Sequence, residues 1–439
     1  MRIIHLTPGT GSFYCGSCLR DNALIKALRV RRHDALMVPL YLPLVTDGLA
    51  ANPEIPVQVG GISLYLAQKM PWIAKMPGFF HRWLNKPERL KKVSQRIGMT
   101  SARSLGEMTL GTLQGRDGRQ WGEWKKLLAW MRTQPKPDIV SLSNSMLSGL
   151  APAIADEFGC PIVCSLQGED AFLDGLPEPY GEQCWEALRS NGRAVTRYVA
   201  PSQFYAHQMQ TRLGASDEQM VVIHNGMDVN AFAAADPSTN FPTIGYFARI
   251  IPGKGLNTLV DAFILLCQRR HIQRLKLKIG GSATKSDEAY IKQVKAKLDA
   301  AGLKGRYEFH TNLNASDKVR FFRDVTVFSV PCTYGEAFGL YVLEAIASGV
   351  PVVQPRHGAF PEILELTKGG LLCEPDSAES LAEGLNQLLL DDVARQRMAD
   401  EGMNNVRKHF TSSLMAERFE ALLVDLKANA TAPSVVEVG

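Results

Sequence analysis

The chain has 439 residues, more than one hydrophobic core usually serves, so two domains are expected. Hydrophobic residues make up 45% and charged residues 21%, an ordinary globular composition that excludes wholesale disorder. The net charge of +5 suits an anionic ligand or an anionic surface but is too small to demand nucleic acid, and no nucleic-acid partner is expected.

Met1 leads directly into the apolar run Ile3-Ile4-His5-Leu6, far too short for a secretory core and without a cleavage site. No stretch reaches membrane-spanning length either. The chain therefore reads as cytoplasmic, with its eight cysteines reduced. From there the pattern is short apolar runs followed by helical periodicity, the signature of parallel βαβ units. In the first half strands are expected at 2–7, 35–40, 138–142, 161–166, 198–200 and 220–224, with helices at 18–31, 145–158 and 202–213.

The segment 43–122 breaks this rhythm and reads as an insertion with helices of its own. Between Lys69 and Arg96 it holds eight Lys or Arg residues against the single acid Glu88, interleaved with Trp72, Phe79, Phe80 and Trp83. Such a stretch is a candidate for peripheral contact with an anionic lipid surface, the plain alternative being core packing under a solvated basic face.

The turn-forming segment 231–242 marks the domain boundary, with an N-terminal, acceptor-side domain over 1–235 and a C-terminal, donor-binding domain over 236–410. Strands in the second domain are expected at 243–247, 275–279, 307–310, 325–330 and 351–354. A final helix near 411–427 could pack on either domain, and 428–439 reads as a flexible tail.

Two segments carry the chemistry. Phe247-Ala-Arg249-Ile-Ile-Pro-Gly-Lys254-Gly255 lies where a strand ends and a helix begins, so backbone N–H groups, a positive helix end and two mobile cations share one loop. Alone, it is better explained by a solvated Arg and Lys on a turn. Tyr-Gly-Glu336-Ala-Phe338-Gly339-Leu340-Tyr-Val-Leu-Glu344 places two carboxylates eight positions apart around a second strand-to-helix junction. A helix starting near Gly339 would point its first N–H groups at an anion, and Glu344, just over a turn in, could accept hydrogen bonds from vicinal hydroxyls.

The stretch YGEAFGLYVLEAIASGVPVV together with ARIIPGKG resembles the donor site of family 4 glycosyltransferases, and VVIHNGMDVNAF, APSQF, LKIGGS and RHGAFPEI follow in the family's order. The resemblance implies the GT-B fold, two Rossmann-like doubly wound domains facing across a cleft. It also implies a retaining transfer from a nucleotide-sugar donor to a glycan, lipid-linked or small-molecule acceptor. By position Arg249 and Lys254 would bind the donor diphosphate, and Glu336 would sit by the transferred sugar. Phe338, Gly339 and Leu340 would offer amides to the phosphates, Glu344 would hold the ribose hydroxyls, and Gly281 would lie beside the nucleotide. No Asp-x-Asp occurs, so no metal and no further cofactor are expected.

Two departures stand in the first half. The loop Thr7-Pro-Gly9-Thr-Gly11-Ser-Phe-Tyr-Cys15-Gly16-Ser17-Cys18 keeps Gly16 of the family's Gly-Gly pair but has Cys15 in the other place. Cys15 and Cys18 have the spacing of a redox pair or half a zinc site, but no second such pair completes a tetrahedron. In Gln167-Gly-Glu-Asp170, Gln167 stands where the family commonly has a histidine. A glutamine can hydrogen-bond a sugar or acceptor hydroxyl but cannot carry a proton near neutral pH, which leaves Asp170 as the nearby carboxylate. These departures motivate a rival reading, a nucleotide-sugar-binding protein without turnover. A sugar-nucleotide epimerase on the same fold fits the paired glutamates less well.

Overall fold

A computed structural model describes residues 1–9, 16–41, 102–232, 241–269, 272 and 274–431. Two compact units divide the described chain: residues 1–201, 206–224 and those from 412 onward in one, and 202–205 with 225–411 in the other. The chain passes between units at His224 and Asn225, short of the expected boundary at 235, and the four residues Ser202–Tyr205 also count with the second unit.

The first unit holds a six-stranded sheet in the order β2-β1-β3-β4-β5-β6. Its strands are β1 (Arg2–Thr7), β2 (Asp34–Pro39), β3 (Ile139–Leu142), β4 (Ile162–Ser165), β5 (Arg197–Ala200) and β6 (Met220–Val222), every neighbouring pair parallel. Parallel strands covered on both faces must be apolar nearly throughout. Accordingly, all four residues of β3 and of β4 are buried.

The expected helix over 145–158 is a 3-10 stretch, Ser145–Leu150, and then the α-helix Ala151–Phe158. Pro152 sits in that helix's first turn, where its missing N–H costs nothing, so it opens a helix rather than lying inside one. Of the insertion 43–122, the described part contains the helix Ala102–Leu113, the 3-10 turn Gly115–Asp117 and the start of the helix Trp121–Arg132. The basic aromatic stretch 69–96 lies outside the described residues.

The last helix, Ser412–Thr431, belongs to the first unit. Met415, Ala416, Phe419, Leu423 and Leu426 recur at helical spacing and close the core over Ile3, Leu24 and Ile139. Glu420 pairs with Arg31 and lies 2.6 Å from His33 Nε2, and Lys427 reaches Asp138 at 2.9 Å.

The second unit holds another six-stranded parallel sheet, in the order β12-β11-β10-β7-β8-β9. Its strands are β7 (Thr243–Phe247), β8 (Lys276–Gly281), β9 (Tyr307–Thr311), β10 (Val327–Phe328), β11 (Val352–Pro355) and β12 (Gly370–Cys373). β10 is shorter than the apolar run 325–330 that announces it, and β12 has no expected counterpart. Gly370-Leu-Leu-Cys373 is too short a run to stand out, and becomes a strand by pairing with β11. Among the described residues, no helix is long and apolar enough to cross a membrane.

Candidate active site

In the second sheet the chain moves outward from β7 through β8 to β9, then returns to β10 beside β7 and continues through β11 to β12. The reversal leaves a crevice at the carboxyl ends of β7 and β10, where open α/β sheets bind ligands. Arg249 and Lys254 stand on the loop after β7, and Glu336 on the loop after β10, so one switch point gathers all three.

Lys254 Nζ pairs with Glu336 Oε2, and both side chains are largely buried, about 15% and 13% exposed. The Tyr341 hydroxyl donates to the same oxygen at 2.7 Å, and Cys332 Sγ lies 3.4 Å from it. The ammonium also rests 4.9 Å from the Tyr334 ring centroid and 5.6 Å from that of Tyr341. Burial alone would raise the Glu336 carboxyl. The Lys254 charge and the hydrogen bonds from Lys254, Tyr341 and Cys332 outweigh it and hold the group below the ordinary carboxylate value. Burial opposes the charge on Lys254, but Glu336 reverses that and keeps the amine protonated. Burial, reinforced by Glu336, pushes the Cys332 thiol up to about 12, so it is a neutral thiol rather than a nucleophile. Arg249 is exposed and makes no ion pair among the described residues.

Gly339 caps the helix Leu340–Ala347 at φ 87°. The helix's first N–H groups have no partner within it and end at this crevice. Phe338 faces inward, 3% exposed, its ring 6.0 Å from that of Phe410, so its side chain is packed away from any ligand. Leu340 is half-buried. Gly281 ends β8 at φ 140°, and a Cβ there would stand 1.6 Å from the Ala248 carbonyl oxygen. Glycine at 281 therefore lets the β8 end lie against the Arg249 loop, a packing reason that holds with or without a nucleotide.

Glu344 lies one turn into the helix, and one of its oxygens pairs with Lys318 Nζ from the helix Ala315–Arg323. Lys318 is 2% exposed, with its ammonium 5.9 and 5.8 Å from the rings of Phe232 and Phe247. A buried lysine on an amphipathic helix reads in the sequence as one more surface charge, which is why Lys318 went unanticipated. Gly358, within the motif RHGAFPEI, is the other residue the motif alone did not single out: a Cβ there would meet Glu336 N at 2.6 Å. Ala359 N–H donates to the Glu336 carbonyl at 2.9 Å, so the loop after β11 clamps the glutamate's backbone.

The first sheet has its own reversal, between β1 and β3. Beneath it Asp21 is fully buried, with Arg20 at 3.0 Å, His5 Nε2 at 3.3 Å and the Ser143 hydroxyl donating to it. Burial would raise the Asp21 carboxyl, yet His5, Arg20 and Ser143 together bring it below its ordinary value. Gln167 joins this cluster: its amide nitrogen donates to Asp21 at 3.2 Å and to the Ser143 carbonyl at 2.8 Å, and its backbone N–H donates to Glu169 at 2.7 Å. Asp170 opens the short helix Asp170–Asp174, is buried, and accepts from the Gln208 amide at 2.5 Å. The side-chain amide of Gln167 expected to meet a hydroxyl thus spends its N–H groups inside the protein, leaving its oxygen as the group available to a ligand.

Gly16 opens the helix Gly16–Val30 and is exposed, while Cys15 and the rest of its loop from 10 lie outside the described residues. Cys18 is buried, its sulfur 3.7 Å from the Thr7 hydroxyl. Among the described residues no cluster of His, Cys, Asp and Glu could hold a metal ion.

Two parallel α/β units, with cations and carboxylates gathered at a switch point, are the architecture of the GT-B class. The chain resembles sucrose-phosphate synthase from Thermosynechococcus elongatus at TM-score 0.72 and 16% identity, over 98% of this chain and 100% of the other. It resembles Anabaena HepE, solved with UDP-glucose, at TM-score 0.68 and 19% identity, over 97% of this chain and 100% of the other. Residues 106–231 match the family model described as Glycosyltransferase Family 4, and 230–405 the one described as Glycosyl transferases group 1. The chain belongs to the family 4 glycosyltransferases. It is 27% identical to a D-inositol 3-phosphate glycosyltransferase of Nocardioides sp., over 60% of this chain and 62% of the relative. It is 30% identical to a phosphatidyl-myo-inositol mannosyltransferase of Mycobacterium tuberculosis, over 51% of this chain and 58% of the relative. The chain thus spans about three fifths of the length of these curated relatives.

Proposed function

We propose that the chain is a retaining, metal-independent glycosyltransferase that moves a sugar, most simply a hexose, from a nucleoside-diphosphate sugar to a glycan, lipid-linked or small-molecule acceptor. The observation that carries this reading is the pairing of Lys254 with Glu336 at the second sheet's switch point, with the exposed Arg249 on the same loop as Lys254 and Glu344 in the helix that follows Glu336. Arg249 and Lys254 take the donor diphosphate. As the anomeric C–O bond breaks, the electron pair leaves with the diphosphate oxygen, and the two cations stabilise that charge. The acceptor oxygen bonds to the same face of the sugar and its proton passes to the departing diphosphate. Glu336 lies beside the oxocarbenium-like sugar, and Glu344 holds the ribose hydroxyls, with Lys318 fixing the carboxylate's orientation.

The relatives' names, among them a mannosylfructose-phosphate synthase of Agrobacterium fabrum, support sugar transfer, and HepE's complex with UDP-glucose supports a nucleotide-sugar donor. The basic aromatic stretch 69–96 gives the protein a peripheral membrane contact. Pelleting with anionic vesicles should disappear when residues 69–96 are deleted, and unchanged pelleting removes that part of the proposal.

The test of the transfer is incubation with UDP-glucose, GDP-mannose and ADP-glucose, with and without EDTA, following free sugar and nucleoside diphosphate. Chelator-insensitive release of both from one donor, with the anomeric configuration retained in the first-formed sugar, is the expected result. Intact donor in every case would leave the chain a binding protein at most.

A further inference from the structure

The Glu336 carboxylate is held unevenly. Lys254 and Tyr341 both donate to Oε2, Cys332 Sγ lies within reach of the same oxygen, and among the described residues no hydrogen bond ends on Oε1. Three groups gathered at one oxygen fix the carboxylate's rotation and leave the other oxygen for whatever enters the crevice.

The three are not equivalent. Lys254 is also the cation placed to meet a diphosphate, and an ammonium drawn to that stronger charge is shared or lost by the glutamate. Cys332 is a neutral thiol at 3.4 Å, a weak donor. Tyr341 remains. It occupies the first turn of the helix Leu340–Ala347, and a helical side chain leans back toward the helix start, which aims its hydroxyl at Glu336. The ring is fixed by Phe328, 6.4 Å away between centroids. A carboxylate only accepts, so the phenol gives its one proton to Oε2, while Cys332 Sγ, 3.1 Å from the phenol oxygen, has a single hydrogen to divide between that oxygen and Oε2. Burial keeps that phenol protonated throughout the working pH range.

We infer that Tyr341 is the positioning residue of this site, the anchor that keeps Glu336 oriented with Oε1 toward the sugar when Lys254 turns to the donor diphosphate. The inference rests on the donor-site reading proposed above. Tyr341 touches neither sugar nor phosphate in this scheme and acts through Glu336 alone.

The substitution Tyr341→Phe keeps the ring and deletes the hydroxyl. Wild type and variant are compared for nucleoside-diphosphate affinity by calorimetry, using UDP, GDP and ADP, and for release of sugar from UDP-glucose, GDP-mannose and ADP-glucose. The expected result is affinity within about threefold of wild type and kcat lowered roughly tenfold or more, the effect of one hydrogen bond to a charged group. The acid limb of the rate profile should move to higher pH, because the carboxylate loses a donor that favours its ionised form. The titratable groups around Glu336 are Lys254 after β7, Tyr246 within it, Cys332 and Tyr334 on the glutamate's own loop, and Tyr341, with His357 bonded to the Cys332 carbonyl at 2.9 Å. None but Tyr341 is altered.

A second comparison guards against a variant that merely packs badly. Glu336→Gln should lose activity by itself, and adding Tyr341→Phe to it should cost little more, since a residue acting through Glu336 has nothing left to position. Full activity in Tyr341→Phe, an equal loss in diphosphate affinity, or additive losses in the double variant would overturn the inference while leaving an active wild type. A wild type that binds no nucleoside diphosphate, or releases no sugar, would overturn the donor-site reading itself and this inference with it.

Discussion

Both sheets are six-stranded and parallel, the first turning back after two strands and the second after three, and they use their switch points differently. In the first unit Asp21 is fully enclosed by Arg20, His5, Ser143 and Gln167. In the second, among the described residues Glu336 is bound through one oxygen only, and Arg249 stands exposed on the loop after β7. A buried charge satisfied on every side holds loops together and has little capacity left for a ligand. A charge satisfied on one side is poised for chemistry. Two parallel α/β sheets therefore yield a structural knot at one switch point and a reactive crevice at the other.

The sharpest way to break this contrast is Asp21→Ala. It removes the carboxylate that pairs with the buried Arg20, and unfolding in urea should show a loss of about 3–5 kcal/mol. Nucleoside-diphosphate affinity of the folded fraction should be unchanged, and a stable protein with lost binding would reverse the assignment of roles. Next in size, Arg249→Ala combined with Lys254→Ala should lower turnover by about 10²–10³-fold, as removal of charge-stabilising donors does. A changed sugar preference at normal rate would contradict their diphosphate role. Glu344→Ala should then raise the dissociation constant for the donor about tenfold, and unchanged binding would remove the ribose assignment.

The smallest effect is the one on acid stability. Asp21 and Glu336 both have carboxyls lowered in the folded chain. Their stabilisation is full above the unfolded value of about 4 and is lost as pH falls through the lowered folded values. Glu336→Gln should flatten the acid limb of a thermal-stability profile, and an unaltered limb would show that the Lys254 pair adds nothing to it.

Much of this was legible in the residues. Strands such as Thr243–Phe247 are short, largely apolar and followed by glycine and cations, so their type and the site at their ends can be read together. The order along the chain puts Arg249 and Lys254 on one strand-to-helix loop and Glu336 on another, and the fold pairs Lys254 with Glu336. What could not be read depends on partners distant in sequence. β12 exists because β11 offers an edge, and Lys318 is buried because Glu344 lies across from it, 26 residues away. Gln167 looks like a ligand group until Asp21, 146 residues earlier, takes its amide. The last helix carries an apolar stripe in its own sequence, but only the fold tells that the stripe covers Ile3 and Leu24 rather than the second unit's core.

The most direct measurement is the thermal stability of the purified chain with UDP, GDP, ADP and their sugar conjugates, in wild type and in Glu344→Ala. A ligand that binds only the folded state must raise its stability. The account predicts a chelator-insensitive rise with one nucleotide class in the wild type, much reduced in the variant. No rise with any nucleotide in a folded wild type would contradict a donor site at the second sheet's switch point.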